Sequence, residues 1–450
     1  MKRFHFAIVL VFLTFTALGQ KPRILVTTDI GGDPDDQQAL VRLMVYANEY
    51  EIEGLVSSAA GTPGELKEEI INPEMIKEII NGYAKVYPNL QKHDAGYIPP
   101  AQLLAVVKEG NPHRGWENVG QGNDTEGSEW IIKQADKEDA RPLNICIFGG
   151  QTDVAQALWK VKNTRTAVEY QQFIDKIRVY DIMDQDRIFN AIIAEHPTLF
   201  YILSKAPQGA DKREGTYRGM YLGGNESLTS LEWLKEHVIE DHGPLGKLYP
   251  TETWTDPNPH GALKEGDTPS WFFFLDYGLG HAEHPEYGGW GGRYQKNASG
   301  YYTDAKDHFQ NETNARATIY RWRDDFQQHF AARMDWCVED FDRANHAPKV
   351  SVQGFSKQES IMLQAKDGEI LEFNASGSTD PDGDELHYEW MVYPEAGNLN
   401  STPNLKVQGA KASVKMPKLA ADESLHIILR VTDKGSPALT SYERIIIKNP

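Results

Sequence analysis

A β-branched apolar run, Ile24-Leu-Val-Thr-Thr28, ends in four aspartates within eight residues: Asp29, Asp33, Asp35 and Asp36. Gln37-Gln-Ala-Leu40 then opens a helical pattern. Four carboxylates at the mouth of one strand repel one another, and they stay ionised together only in water or around a cation. The strand that delivers them reads as buried, so a bound cation is the expected solution. Capping of a helix start accounts for one aspartate but not for four. Gly31, Gly32 and Pro34 supply the tight turn between strand and helix. Hard oxygen ligands without histidine or cysteine point to calcium first and magnesium second.

Strand-like and helix-like segments alternate beyond this point. Arg23–Thr28 and Glu53–Ser58 read as strands around a helix over Asp36–Tyr46. Helical spacing returns at Met75–Tyr87, Glu126–Ala135, Val154–Val161 and Ile188–Ala194, with strands at Asn144–Phe148, Ile177–Tyr180 and Phe200–Leu203. This alternation predicts an α/β domain with a mostly parallel sheet, helices on both faces and a ligand site beyond the carboxyl ends of the strands. Asp29 stands at such an end, as do Gly149-Gly150 and Asp184-Gln185-Asp186. Residues 240–306 are rich in Gly, Pro, His and aromatics and lack periodicity, which marks a functional stretch. A last helix is expected over Thr313–Ala332, with Ile319, Trp322, Phe326 and Phe330 on its core side.

The 450 residues exceed one ordinary core. Ala344-Asn-His-Ala-Pro348 reads as a linker, and short alternating strands follow, among them Ile370–Asn374, His387–Val392, Ser424–Val431 and Tyr442–Ile447. The expected organisation is a signal peptide over 1–19, an α/β domain over 20–343, the linker 344–348 and an Ig-like β-sandwich over 349–450. The first domain is expected to fold without the residues beyond Ala347. Lys2 and Arg3, the apolar run Phe6–Phe15 and Ala17-Leu-Gly19 give the leader its basic, apolar and small regions. That run is shorter than the roughly 20 residues of a membrane span. Export to the periplasm or the extracellular space follows. Two cysteines, Cys146 and Cys337, exclude a disulfide framework and cysteine-based zinc sites, and a net charge of −19 opposes nucleic acid and anionic membranes as partners.

The Asp29–Asp36 segment resembles the N-terminal signature of the inosine-uridine nucleoside hydrolases, where Asp-x-Asp-Pro-Gly-x-Asp-Asp closes the first strand. Gly149-Gly-Gln-Thr-Asp-Val-Ala155 is similar to that superfamily's Gly-Pro-Leu-Thr-Asn-(Ile/Leu)-Ala turn. More of the chain resembles a secreted bacterial nucleoside-hydrolase-like family described as cellulose-binding. The shared segments are Asp184-Gln-Asp186, Glu265-Gly-Asp-Thr-Pro-Ser270, the run from His284 to Tyr294 and a C-terminal β-domain.

The resemblance implies an exported calcium-dependent hydrolase of a ribosyl or related N- or O-glycosidic bond, acting on a carbohydrate or nucleoside-like small molecule. By the same likeness Asp29 is a calcium ligand and the base for a water. Asp36 is a bidentate ligand, the Phe148 carbonyl and Asp267 complete the set, and Asp35 holds sugar hydroxyls. The alternative is a carbohydrate-binding protein that keeps fold and metal without turnover. Three departures stand against the enzyme pattern: Thr27 replaces the first aspartate, two extra residues including Asp33 lengthen the loop, and Gly266 precedes Asp267 where many members place a histidine. His242, His260, His281 and His284 are the candidates to replace that histidine.

Three further segments have competing readings. Asp184, Gln185 and Asp186 form a second wall of the site or cap helices. Trp290 and Arg293, set among glycines, contact sugar rings or pack a rigid loop. Asp380-Pro-Asp-Gly-Asp384 spaces three carboxylates as a calcium turn does, yet the ordinary polar hairpin is preferred.

Overall fold

The computed structural model describes residues 20–60, 70–252, 262–275, 277–355 and 360–450. The expected leader and His260 lie outside these residues. Among the described residues no helix is long and apolar enough to cross a membrane.

The chain starts with β1 (Arg23–Thr28), α1 (Asp35–Val45), β2 (Glu51–Ser57), α2 (Pro73–His93), α3 (Pro100–Ala105) and β3 (Val107–Glu109). It continues through α4 (Glu126–Ala135), β4 (Leu143–Ile147), α5 (Gln151–Thr164), α6 (Ala167–Asp175), β5 (Ile177–Ile182), α7 (Phe189–Glu195) and β6 (Phe200–Ser204). Short helices α8 (Leu231–Leu234), α9 (Gly243–Gly246) and α10 (Thr268–Phe272) precede β7 (Tyr294–Lys296) and β8 (Tyr302–Asp304). These strands form one eight-stranded sheet in the order β3-β2-β1-β4-β5-β6-β8-β7, parallel except for β7 at the edge.

The order has a functional consequence. From β1 the chain builds outward through β2 to β3, then returns to β4 on the other side of β1 and builds the opposite way. The crevice between β1 and β4 is therefore the topological switch point, where open α/β sheets bind ligands. Every residue of β1 is buried, with Ile24 and Val26 facing one apolar layer and Leu25 the other. The α/β expectation holds.

The expected helix over 313–332 is two elements. After β9 (Asp307–Phe309) and β10 (Glu312–Asn314), α11 (Ala317–Tyr320) breaks before α12 (Arg323–Asp335). Ile319, Trp322, Phe326 and Phe330 are nevertheless all buried together.

The C-terminal part stacks a four-stranded sheet on a three-stranded one. The first has the order β11 (Ile361–Gln364), β17 (Thr440–Lys448), β16 (Leu425–Thr432), β13 (His387–Val392). The second has the order β12 (Ile370–Asn374), β15 (Lys411–Lys415), β14 (Leu405–Gln408). Trp390, Phe373, Val414, Leu429 and Ile445 fill the space between them.

The linker separates two sheet systems, and the sandwich has a core of its own, yet one apolar cluster also runs across the seam between them. Tyr393, Ala396, Ile428 and Tyr442 belong to the same apolar cluster as Trp271, Phe272, Trp290 and Phe326. Buried charges pin the seam. Asp307 accepts from Arg293 Nε at 2.7 Å, Arg321 Nη1 at 2.8 Å and Tyr393 Oη at 2.5 Å. Asp325 pairs with Arg430 at 2.7 Å and accepts from Tyr442 Oη. Arg444 donates to the carbonyls of Leu279 at 2.7 Å and Gly288 at 2.9 Å.

Two outcomes are expected. Removing residues 348–450 bares this aromatic face, so the product aggregates; a soluble, monodisperse fragment in size-exclusion chromatography would contradict the shared core. Asp307→Ala strands two arginines and costs about 3–5 kcal/mol in denaturant unfolding. A loss below 1 kcal/mol would show that the arginines find other partners.

Candidate functional site

The turn after β1 carries the acidic cluster because three elements converge there. Asp29 leaves the strand at 5% exposure, and Asp35 and Asp36 form the first turn of α1, Asp36 at 3%. Thr28 Oγ1 donates to Asp36 Oδ1, fixing that carboxylate against the strand end. Asp267 arrives from more than 200 residues away as the residue before α10 and is 1% exposed. One oxygen from each of Asp35, Asp36 and Asp267 lies within 4.8 Å of the others. Asp29 stands beside this trio, within hydrogen-bonding reach of Asp36. Gly149 makes the β1–β4 approach possible, since a Cβ there would meet the Asp29 carboxyl at 2.4 Å.

The cluster is electrostatically unresolved without a cation. Burial first, then Asp186, pushes the Asp29 carboxyl up to about 7 against the lowering effect of Arg114. Burial and Asp33 push Asp35 up to about 8. Asp36 and Asp267 are raised well above the carboxylate range, by burial and then by their acidic neighbours. Both carboxyl oxygens of Asp267 are buried without a hydrogen-bond partner. Buried carboxylates are ordinarily bonded or paired, so this orphan, facing two more carboxylates, fits a hard cation with oxygen ligands.

Nearby cations have duties of their own. Lys264 Nζ pairs with Asp33 at 2.6 Å, and Arg114 Nη2 donates to the Ala59 carbonyl at 2.9 Å. Arg218, whose charge acts on Asp35, donates from Nε to Tyr217 Oη at 3.0 Å and also reaches Tyr221. Tyr217 Oη in turn donates to Met183 Sδ at 2.9 Å. Sequence reasoning missed Arg114 and Lys264, which sit in loops, and Tyr217 and Arg218, which sit in a single 3-10 turn over Thr216–Met220, none of them in a motif.

Asp35, expected to hold sugar hydroxyls, stands inside the trio, and Asp29, expected as ligand and base, stands next to it against Asp36. The Phe148 carbonyl accepts from Gln185 Nε2, so Gln185 reaches the strand end as a wall residue would.

Its neighbours are caps. Asp186 Oδ2 accepts from the Thr152 amide at 2.8 Å and Thr152 Oγ1 at 2.7 Å, at the start of α5. Asp184 Oδ1 accepts from the Phe189 amide at 2.9 Å, at the start of α7, and its Oδ2 pairs with Lys205 at 2.9 Å. Both carboxylates thus have structural duties, the capping role that the sequence offered as the alternative to a site wall. Met183, Asp184 and Arg187 adopt left-handed backbone, with φ of 77°, 55° and 59°. That strain shapes the loop presenting Gln185.

Trp290 and Arg293 do not line the site. Trp290 is 4% exposed and packs edge-on against Tyr277, Phe326, His329 and Tyr442. Arg293 is committed to Asp307 and the Lys306 carbonyl. Both hold the C-terminal sandwich in place. The histidine candidates are also elsewhere: His242 pairs with Asp335 at 3.1 Å, and His281 and His284 pack around Tyr287. Cys146 and Cys337 are buried free thiols.

A mostly parallel sheet with an acidic cluster at its switch point defines a nucleoside-hydrolase-like α/β protein. Residues 23–294 match the family described as cellulose-binding Sde182, nucleoside hydrolase-like domain, and residues 370–449 match the cellulose-binding protein Sde0182 C-terminal domain. The chain belongs to this family. A solved structure of a nucleoside hydrolase-related hypothetical protein from Saccharophagus degradans, associated with carbohydrate metabolism, is 33% identical with a TM-score of 0.80. That match covers 96% of this chain and 100% of the other. No curated protein sequence matches.

The raised carboxyls give a signed expectation. Their folded pKa values exceed the unfolded value of about 3.9, so the folded chain holds protons that the unfolded chain releases. The stability that these carboxyls contribute to the cation-free protein is complete below about pH 4 and is lost as pH rises through 7 to 8. A cation competes with those protons, so calcium raises the melting temperature more at pH 8 than at pH 5, approaching about 2.7 kcal/mol at a hundredfold excess over Kd. Thermal melts with calcium and with chelator check this; a shift independent of pH would oppose it.

Proposed function

We propose that the chain is an exported, cation-dependent hydrolase of a ribosyl or related N- or O-glycosidic bond. One observation carries the reading: the unpartnered Asp267 carboxylate facing Asp35 and Asp36 at the switch point. Asp35, Asp36 and Asp267 are the residues that would hold the ion, with calcium the best fit to an all-oxygen set. Bound there, such an ion supplies Lewis acidity toward water and sugar hydroxyls.

The chain's own residues supply the rest. Asp29 is outside the trio but against Asp36, and a bound cation would hold its carboxyl ionised and ready to accept a proton. It accepts the proton of a water directed at the anomeric carbon. The surrounding carboxylates favour the positive charge that develops on the sugar ring in an oxocarbenium-like transition state. Gln185, which reaches the Phe148 carbonyl, and Arg218, whose charge acts on Asp35, are the residues assigned to orient hydroxyls. Export rests on the leader-like residues 1–19 and on the cellulose-binding description of the family.

The family description also supports a second reading, a glycan-binding protein that keeps the ion without turnover. A screen of nucleosides, aryl glycosides and cello-oligosaccharides, run with calcium and with chelator, separates the two. Chelator-sensitive release of reducing sugar supports hydrolysis; calorimetric glycan binding with no release supports the binder. For the enzyme, Asp29→Asn is expected to lower turnover about 10²–10⁴-fold while calcium affinity is largely retained. A fully active Asp29→Asn chain would remove Asp29 as the base.

A further inference from the structure

The Asp380-Pro-Asp-Gly-Asp384 turn takes no part in that site, yet it carries an oxygen of the same kind. Asp380 Oδ1 accepts from the amides of Asp382 at 2.9 Å and Asp384 at 3.1 Å. Its Oδ2 is buried with no hydrogen-bond partner.

Asp433, from the loop between β16 and β17, repeats the pattern at 3% exposure. Its Oδ1 accepts from Asn345 Nδ2 at 3.0 Å, the Gly435 amide at 3.0 Å and the Leu439 amide at 2.9 Å. Its Oδ2 is likewise buried and unpartnered.

The linker brings these two loops to one place. Asn345 bonds Asp433, and the next residue, His346, donates its amide to Asp382 Oδ2 at 2.7 Å and faces the same carboxylate through Nδ1 at 3.0 Å. Two adjacent linker residues thus bond one loop each. Asp433 accordingly feels the like charge of Asp380. The neighbouring Lys434 is drawn off to Glu385 at 2.7 Å.

An unsatisfied buried polar atom costs about 1–3 kcal/mol, more for a charged group. Two such oxygens of like charge, each rigidly presented by backbone amides on its partner oxygen, are what a cation site looks like without its ion.

We propose that Asp380 and Asp433 hold a second calcium ion where the linker meets the sandwich. Carboxylates from two separate loops suit the flexible, oxygen-rich coordination of calcium. The ion would tie the 380–384 turn, the 433–439 loop and Asn345 into one unit, and so fix the angle at which the sandwich leaves the linker. This site is independent of the Asp35/Asp36/Asp267 trio.

Calcium chloride titrated calorimetrically into the chelator-stripped full-length chain tests the proposal. Two ions are expected for the natural sequence, and one each for Asp433→Asn and Asp36→Asn. Asp433→Asn should melt in chelator no lower than the natural chain, because its new amide can donate to Asp380; Asp380→Asn is the second variant should the first fail to fold. If both Asp433→Asn and Asp380→Asn keep the natural stoichiometry, the proposal falls. If Asp36→Asn keeps it and Asp433→Asn loses an ion, the trio fails and this site stands.

Discussion

Repulsion among Asp29, Asp35, Asp36 and Asp267 is the interaction on which the architecture around the switch point depends. At an effective dielectric near 20, two charges 4 Å apart repel by about 4 kcal/mol. Three buried carboxyls and the half-buried Asp35 therefore either keep protons or share a cation. Internal relief is partial: Arg114 acts on Asp29, and Lys264 and Arg218 on Asp35, yet burial and the neighbouring carboxyls still leave both raised. Meanwhile the backbone holds the carboxyls in place through the fully buried β1, the first turn of α1 and the residue preceding α10. Such pre-organised charge is costly in folding and useful only to something that brings positive charge.

The second dependency is structural. The sandwich is fastened through buried charges and aromatic rings rather than by its linker alone. Asp307 gathers two arginines and Tyr393, and Asp325 gathers Arg430 and Tyr442. Buried ion pairs of this kind contribute less net stability than specificity of docking. The apolar cluster around Trp290 supplies the free energy, and the charges select one orientation.

Local signals were legible and distant ones were not. The bounds of β1 and α4 follow from sequence because apolar periodicity and turn residues mark them directly. The short β3, β7 and β8 have three residues each and leave no period to detect. Asp267 was legible only through family likeness, since nothing near Gly266 reports on a strand end more than 200 residues earlier. The glycines around Trp290 misled for a definite reason. Glycine serves mobile lids and close packing alike, and a Cβ on Gly291 would meet the Phe273 backbone at 2.4 Å. Tight packing is the reason for glycine there, so the aromatic-rich segment belongs to the seam. Of the four aspartates singled out in the sequence, Asp29, Asp35 and Asp36 meet in one cluster, while Asp33 turns away to Lys264, a partner more than 200 residues on that no local pattern announces.

The place of Asp29 bears on the choice between catalysis and binding. It adds a further carboxyl to an already repulsive cluster, raising the free energy of the site while no ion is bound. It is nonetheless kept close, against Asp36, under the field of Arg114 and packed on Gly149. As a further ligand it would serve either reading; as a proton acceptor it would serve turnover alone. The two readings therefore part at this one carboxyl.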